Sequence, residues 1–237
     1  MKRRIKNKRK LLAFDIETAT QLVDFDDEAK RKAGIACAAT LAEDEEDVRF
    51  FYSKSATRMT QKDAVALVRF LQRSATDGYT IVTWNGASFD FCVLAEESKL
   101  YDECAELALH HIDMMFHIVC ARGHFLGLDK AARGLGLAGK SDDVKGSDAP
   151  ALWRDGETQR VLDYLAQDVH MTLQVAKESE RRRGFYWQSS TGTLKTIEID
   201  RLLTVTEALK LPVPNASWMK NPPDRRKMIA WTERTKT

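Results

Sequence analysis

The sequence predicts an α/β fold, and three observations predict it. Leu11–Ile16, Gly34–Leu41 and Val48–Ser53 are apolar runs separated by polar connections, the pattern of an antiparallel three-strand meander. Beyond them, stretches with helical periodicity flank another β-branched and aromatic run, Tyr79–Trp84. Finally, Thr158 to about Arg182 reads as one long helix.

Taken in order, Leu11–Ile16 follows a charged tail and reads as a core strand, and residues 24–32 are charged enough to be an exposed loop or helical turn. Glu43–Asp47 is an acidic turn between the second and third strands. Thr60–Ser74 reads as a helix because Thr60 and Asp63 resemble a capping box and Ala64, Leu67, Val68 and Leu71 share one face. Asp77-Gly78 breaks it, and Asn85-Gly86 turns the chain after the fourth strand into a helix starting near Ser88. Leu100–Cys120 is helical with a break at His110–Met114, and Leu128–Leu135 is another helix. Gly139–Pro150, polar and glycine-containing, reads as a surface loop. After the long helix, Gly184–Gln188 and Leu194–Ile199 flank Ser189-Ser190-Thr191-Gly192 as a hairpin. Thr204–Leu211 is a short helix with Thr204 and Glu207 as its capping box, ended by Pro212 and Pro214.

Composition narrows the function classes. No segment is apolar enough to span a bilayer, and Met1–Lys10 is too basic for a secretory leader, so a cytoplasmic location with no membrane partner is expected. Cys37, Cys92, Cys104 and Cys120 are scattered without a C-x-x-C pair, which predicts reduced, buried thiols rather than a zinc site. The net charge of +2 conceals an asymmetry. Residues 1–10 hold seven Lys or Arg and no acid; residues 11–180 hold 18 basic against 30 acidic residues; residues 181–237 hold 12 against 5. An acidic centre between basic ends suits a metal-dependent enzyme gripping a polyanion.

Four carboxylates carry the chemistry. Asp15 and Glu17 stand two apart on the first strand, so both face one side and can face one cation. Asp90 closes Asn85-Gly86-Ala87-Ser88-Phe89-Asp90 at a helix start, where a carboxylate also suits the helix dipole. Tyr164 and Asp168 are four apart on the long helix, one turn apart on one face. Oxygen-only ligands are what Mg²⁺ or Mn²⁺ takes, and phosphodiester hydrolysis uses two such ions about 4 Å apart.

Phe14-Asp15-Ile16-Glu17-Thr18, then Asn-Gly-x-x-Phe-Asp at 85–90, then Tyr-x-x-x-Asp at 164–168, in that order, resemble the three motifs of the DEDD 3′–5′ exonuclease superfamily over about residues 10–180. Tyr164, with Asp163 where the histidine subclass has its His, looks like the tyrosine subclass, similar to the proofreading domain of family B DNA polymerases and to stand-alone bacterial and viral exonucleases. The resemblance implies a ribonuclease H-like fold: a central mixed sheet, three antiparallel strands followed by parallel ones, with helices on both faces. It implies that Asp15, Glu17, Asp90 and Asp168 hold two Mg²⁺ or Mn²⁺ ions and that Tyr164 orients the attacking water. It implies that Thr18 and Asn85 touch substrate and that Phe89 packs under the site.

The domain expectation is a basic tail over 1–10, an exonuclease domain over 11–183 and a hairpin plus Pro/Trp-rich extension over 184–237 packed on it. Lys140 is a candidate phosphate contact, and Asp113, after His110-His111, a candidate supporting acid. Trp218 and Trp231 are read as covering a small core, with base stacking as the alternative. The expected activity is a 3′–5′ exonuclease on single-stranded or frayed DNA ends, in repair, replication or proofreading, with a DNA polymerase or repair assembly as candidate partner. An exoribonuclease and a non-catalytic nucleic-acid-binding module of the same fold stay open, and no residue separates DNA from RNA.

Overall fold

The computed structural model describes residues 9–22, 27–54, 56–139, 145–189 and 191–233. Strand β1 (Lys10–Thr18) pairs antiparallel with β2 (Ile35–Ala42), which pairs antiparallel with β3 (Arg49–Tyr52). On its other side β1 pairs parallel with β4 (Tyr79–Thr83), and β4 with the two-residue β5 (Ile112–Asp113). The sheet order is β3-β2-β1-β4-β5, the mixed arrangement anticipated above.

Helices cover both faces because β1 is apolar on both. Leu12, Phe14 and Ile16 point to α2 (Gln61–Thr76), α3 (Asp90–Ser98) and α4 (Tyr101–His110), burying Ala64, Leu67, Val68 and Leu71 in one cluster. Phe14 meets Phe91 of α3 with ring centroids 5.4 Å apart. Leu11 and Ala13 point the other way, to the long helix α8 (Thr158–Arg182), whose Val161, Leu165 and Val169 are fully buried. Each such Leu or Val contributes roughly 1.5–3 kcal/mol by leaving water. The Thr60–Asp63 capping box forms at the start of α2.

The expected break at His110–Met114 is present: α4 ends at His110, the short β5 fills the break, and α5 (Met114–Arg122) begins with Asp113 as its N-cap, accepting from Phe116 N–H. That the break is a strand was not anticipated, since two residues have no periodicity to read. The loop expectation needs correction: of the stretch 139–150, residues 140–144 lie outside the described residues, and its end is helical. A short helix, α7 (Ala149–Arg154), starts there with Pro150 in its first turn, where the missing N–H costs nothing, and buries Trp153. Helices α1 (Asp27–Lys32) and α6 (Leu128–Gly134) complete the body.

After α8 come the antiparallel hairpin β6 (Gly184–Gln188) and β7 (Leu194–Glu198), then α9 (Val205–Ala208) with its Thr204–Glu207 capping box, α10 (Arg225–Met228) and a 3₁₀ turn (Ala230–Glu233). Phe185 and Ile197 of the hairpin are buried in the α8-side cluster. Arg9 donates to the Leu202 carbonyl and pairs with Glu180 at 3.3 Å. Trp231 is 4% exposed and donates from Nε1 to the Ala87 carbonyl at 2.8 Å, so it covers core as expected. Trp218 is the opposite, 67% exposed, and the core-covering expectation fails for it. The four cysteines are buried thiols. No helix among the described residues is long and apolar enough to cross a membrane.

Candidate metal centre and cleft

Asp15 and Glu17 lie on the α8 side of β1, as their i, i+2 spacing requires. Their partners across the β1–β2 ladder are the fully buried Ala39 and Cys37, small side chains that leave space above them. A register shift between Glu17 and Thr18 marks where β1 leaves regular pairing. Asp168, halfway along α8 and 5% exposed, comes down onto the same spot. Carboxylate oxygens of Asp15, Glu17 and Asp168 lie within 4.8 Å of one another, a group that could hold a metal ion.

Asp90 joins this group through the strand edge. The pairing of β4 with β1 ends at Ala13 and Val82, so the β4-side edge of β1 is open beyond that point. There Ile16 N–H donates to Asp90 Oδ1 at 3.2 Å, and Asp90 also shares a hydrogen bond with Asp15. Burial raises the Asp90 carboxyl to about 7, against the pull of the Asp15 and Ile16 hydrogen bonds. Acids packed this closely repel, and a hard divalent cation with an appetite for oxygen is the natural counter-charge. The donor set fits such an ion.

The turn that delivers Asp90 is over-determined. Asn85 has φ +75°, a left-handed conformation that Asn tolerates better than most residues. At Gly86 a Cβ would lie 2.4 Å from Thr83 Oγ1, so only glycine fits. Asp113, 1% exposed, accepts from Asn85 N–H (3.0 Å) and Phe116 N–H (3.0 Å) at Oδ1 and from Ala87 N–H (2.9 Å) at Oδ2. Burial raises its carboxyl to about 6, offset by those donors. Asp113 therefore supports the Asn85–Asp90 turn.

Behind the turn, Gly86 N–H donates to Thr83 Oγ1 at 3.0 Å, and Thr83 Oγ1 lies 2.9 Å from His111 Nε2. The Ala108 carbonyl, 2.7 Å from Nδ1, can only accept, so Nδ1 carries the proton and Nε2 accepts from Thr83. Burial depresses the His111 pKa from 6.5 to about 4. The unfolded chain thus binds a proton in this window that the folded chain does not, and stability falls as pH drops from about 6.5 through about 4. The stability gap between wild type and His111→Asn should be widest above this window and shrink by about 3 kcal/mol across it, read by urea melts at each pH. A gap constant with pH would mean that the neutral imidazole is not selected by the fold.

A cleft of about 550 Å³ opens over the acids, with Asp15 and Asp168 in its floor and Trp84 and Asn85 in one wall. The other wall is Phe125–Asp129, tied down by Trp84 Nε1 donating to the Leu126 carbonyl at 3.0 Å. The sequence reading missed this wall. Its only signal was Gly127, the N-cap of α6.

The other expected residues are placed as follows. Tyr164 is 8% exposed, one turn before Asp168, and its hydroxyl sits 3.4 Å from where a Cβ would stand on Gly146. Thr18 is 9% exposed and donates from Oγ1 to the Thr20 carbonyl. Phe89 packs against the α2–α3 side cluster, at the edge of the turn. His170 is exposed. Lys140 and the tail over 1–8 lie outside the described residues.

A five-stranded mixed sheet with helices on both faces and an acidic cluster between its central strand and α8 defines an α/β protein of ribonuclease H-like fold. Residues 12–179 match the RNase_H superfamily, and the chain belongs to it. Among solved structures, the family B DNA polymerase from the hyperthermophilic archaeon Pyrobaculum calidifontis is similar, with a TM-score of 0.55 and 20% identity. The likeness covers 73% of this chain and 24% of that one, and at this identity it speaks for the fold alone. No curated protein matches the chain.

Proposed function

We propose that the protein is a metal-dependent 3′–5′ exonuclease that hydrolyses phosphodiester bonds at DNA 3′ ends, single-stranded or frayed. The observation that carries this reading is the meeting of Asp15, Glu17 and Asp168 from β1 and α8, with Asp90 of α3 hydrogen-bonded to Asp15 and to Ile16 N–H beside them. The tyrosine-subclass motif order supports it, as does a superfamily whose members are typically nucleases.

In this reading Asp15, Glu17, Asp90 and Asp168 hold two Mg²⁺ or Mn²⁺ ions. When bound, the ions supply charge neutralisation at the phosphate and a more acidic water. The chain's own groups do the positioning. The cleft admits one splayed terminal nucleotide, with Asn85 and Thr18 beside it. Trp84 and Phe125 offer aromatic faces to its base. Phe89 packs beneath the turn that carries Asp90. Tyr164 orients the attacking water from one helical turn before Asp168, and Lys140 is a candidate phosphate contact. DNA in repair, replication or proofreading is the preferred substrate and setting, and a polymerase or repair assembly the preferred partner.

The test is the release of nucleoside monophosphates from a labelled single-stranded DNA oligomer. Release should require Mg²⁺ or Mn²⁺ and stop with EDTA. Internal fragments, or release that survives EDTA, would overturn the reading. Tyr164→Phe should slow release roughly 10- to 100-fold, since an orienting group is lost while the cations still acidify the water. Calorimetric titration of Mg²⁺ should give the same affinity for this variant as for wild type. Full activity would reduce Tyr164 to a packing residue.

A further inference from the structure

The short segment after α5 joins the cleft to the C-terminal extension. Phe125 stands in the cleft wall and is 55% exposed. One residue earlier, the His124 ring packs edge-on against Trp187 at 5.5 Å and Trp218 at 6.2 Å between centroids. One residue earlier again, Gly123 (φ +77°) lets the extension press down: a Cβ there would lie 3.0 Å from Ala216 Cβ and 3.2 Å from Pro214 Cγ. Three consecutive residues thus carry an aromatic strip outward from the lip of the cleft.

Two features of the strip are unexplained by folding. Trp218 leaves two thirds of its surface in water while Trp231, thirteen residues on, is buried as tryptophans in a core are. An exposed Trp beside other aromatics marks a contact surface. The strip is also flanked by net positive charge. Lys220, Arg226 and Lys227 are exposed, and Arg226 and Lys227 line one groove with Gly123 and Ser217, against one exposed acid, Asp224, which caps α10 through the Arg226 and Lys227 N–H groups. Aromatic faces interleaved with cations are what a single-stranded nucleic acid requires. Bases stack without regard to sequence, and phosphates are neutralised along the way.

We propose that the His124–Trp218 strip with Arg226 and Lys227 binds the single strand that trails the nucleotide held in the cleft. The direction of the strand rests on the exonuclease reading; the binding itself needs neither metal nor cleavage. A strand entering the cleft past Phe125 meets His124 and Trp218 next, then the basic flank of α10. The extension is therefore part of the substrate surface.

Fluorescence anisotropy with labelled oligo(dT), in EDTA, tests this on the full chain. Trp218→Ala should weaken binding of a long oligomer about tenfold. Arg226→Ala/Lys227→Ala should weaken it too and flatten the slope of log Kd against log salt by about 1.4. The advantage of the long strand over a dinucleotide too short to reach the strip should shrink in both variants. All of these side chains are exposed, so melting temperatures should match wild type. Unchanged Kd for the long strand in both variants would overturn the proposal, and so would failure of the wild-type chain to bind single strands while a protein partner is captured through Trp218. Strip-dependent binding without cleavage would keep the strip and reject the exonuclease. Cleavage with variants indistinguishable from wild type would do the reverse.

Discussion

Asp15→Asn should lower the rate of nucleotide release by at least about 10³-fold, or about 4 kcal/mol in the barrier. The same substitution should raise the melting temperature of the cation-free protein. Asp15 sits within 4.8 Å of Glu17 and Asp168 at the carboxylate oxygens, and it shares a hydrogen bond with Asp90 that an amide can still make. Neutralising one member relieves like-charge repulsion worth about 1 kcal/mol, which for a chain of this size means roughly 2–4 °C. Wild type should gain stability on adding Mg²⁺ or Mn²⁺, because the ions bind only the folded state, and the variant should gain much less. Differential scanning calorimetry with and without Mn²⁺ reads both signs. A variant that is inactive because it unfolds would show a lower melting temperature without cation, and that would contradict a binding role for the cluster.

Asp113→Ala is expected to give the largest stability loss in the protein. One side chain, 1% exposed, satisfies three backbone N–H groups on two segments, the Asn85–Ala87 turn and the first turn of α5. Alanine would strand these donors in the interior and remove the N-cap of α5. The expected cost is about 3–5 kcal/mol, or roughly 6–20 °C in melting temperature. Activity should fall further than the folded fraction does, measured well below the melting point, because the same turn places Asn85 in the cleft and Asp90 beside Asp15. A loss below about 1 kcal/mol would mean that the turn holds its shape without Asp113.

How much of this was legible in the sequence depends on the range of the interaction. Spacing along one element was readable: Asp15 and Glu17 on a strand, Tyr164 and Asp168 on a helix, and the capping boxes at Thr60 and Thr204 all form as the local pattern requires. The four-strand part of the sheet was readable because its runs are apolar or β-branched and bounded by turns. What needed the three-dimensional arrangement was hidden. Asp113 lies in a break between two helices, and nothing local shows that its oxygens meet N–H groups 26 and 28 residues earlier. The Phe125–Asp129 wall has no motif of its own. Trp218 and Trp231 are the same residue type in similar basic, Pro-rich surroundings, yet one is buried and one exposed, since burial is decided by what packs above them. The hydrogen bond from Ile16 N–H to Asp90 exists only because β4 stops pairing at Val82.

The central claim is tested most directly by digesting a 5′-labelled single-stranded DNA oligomer with the purified protein in Mg²⁺, in Mn²⁺ and in EDTA, beside an Asp15→Ala/Asp168→Ala control. A ladder that shortens from the 3′ end, present with either cation and absent in EDTA and in the control, is the result the cluster geometry predicts. Immediate loss of the label as a mononucleotide, or a ladder that persists in the double variant, would contradict it.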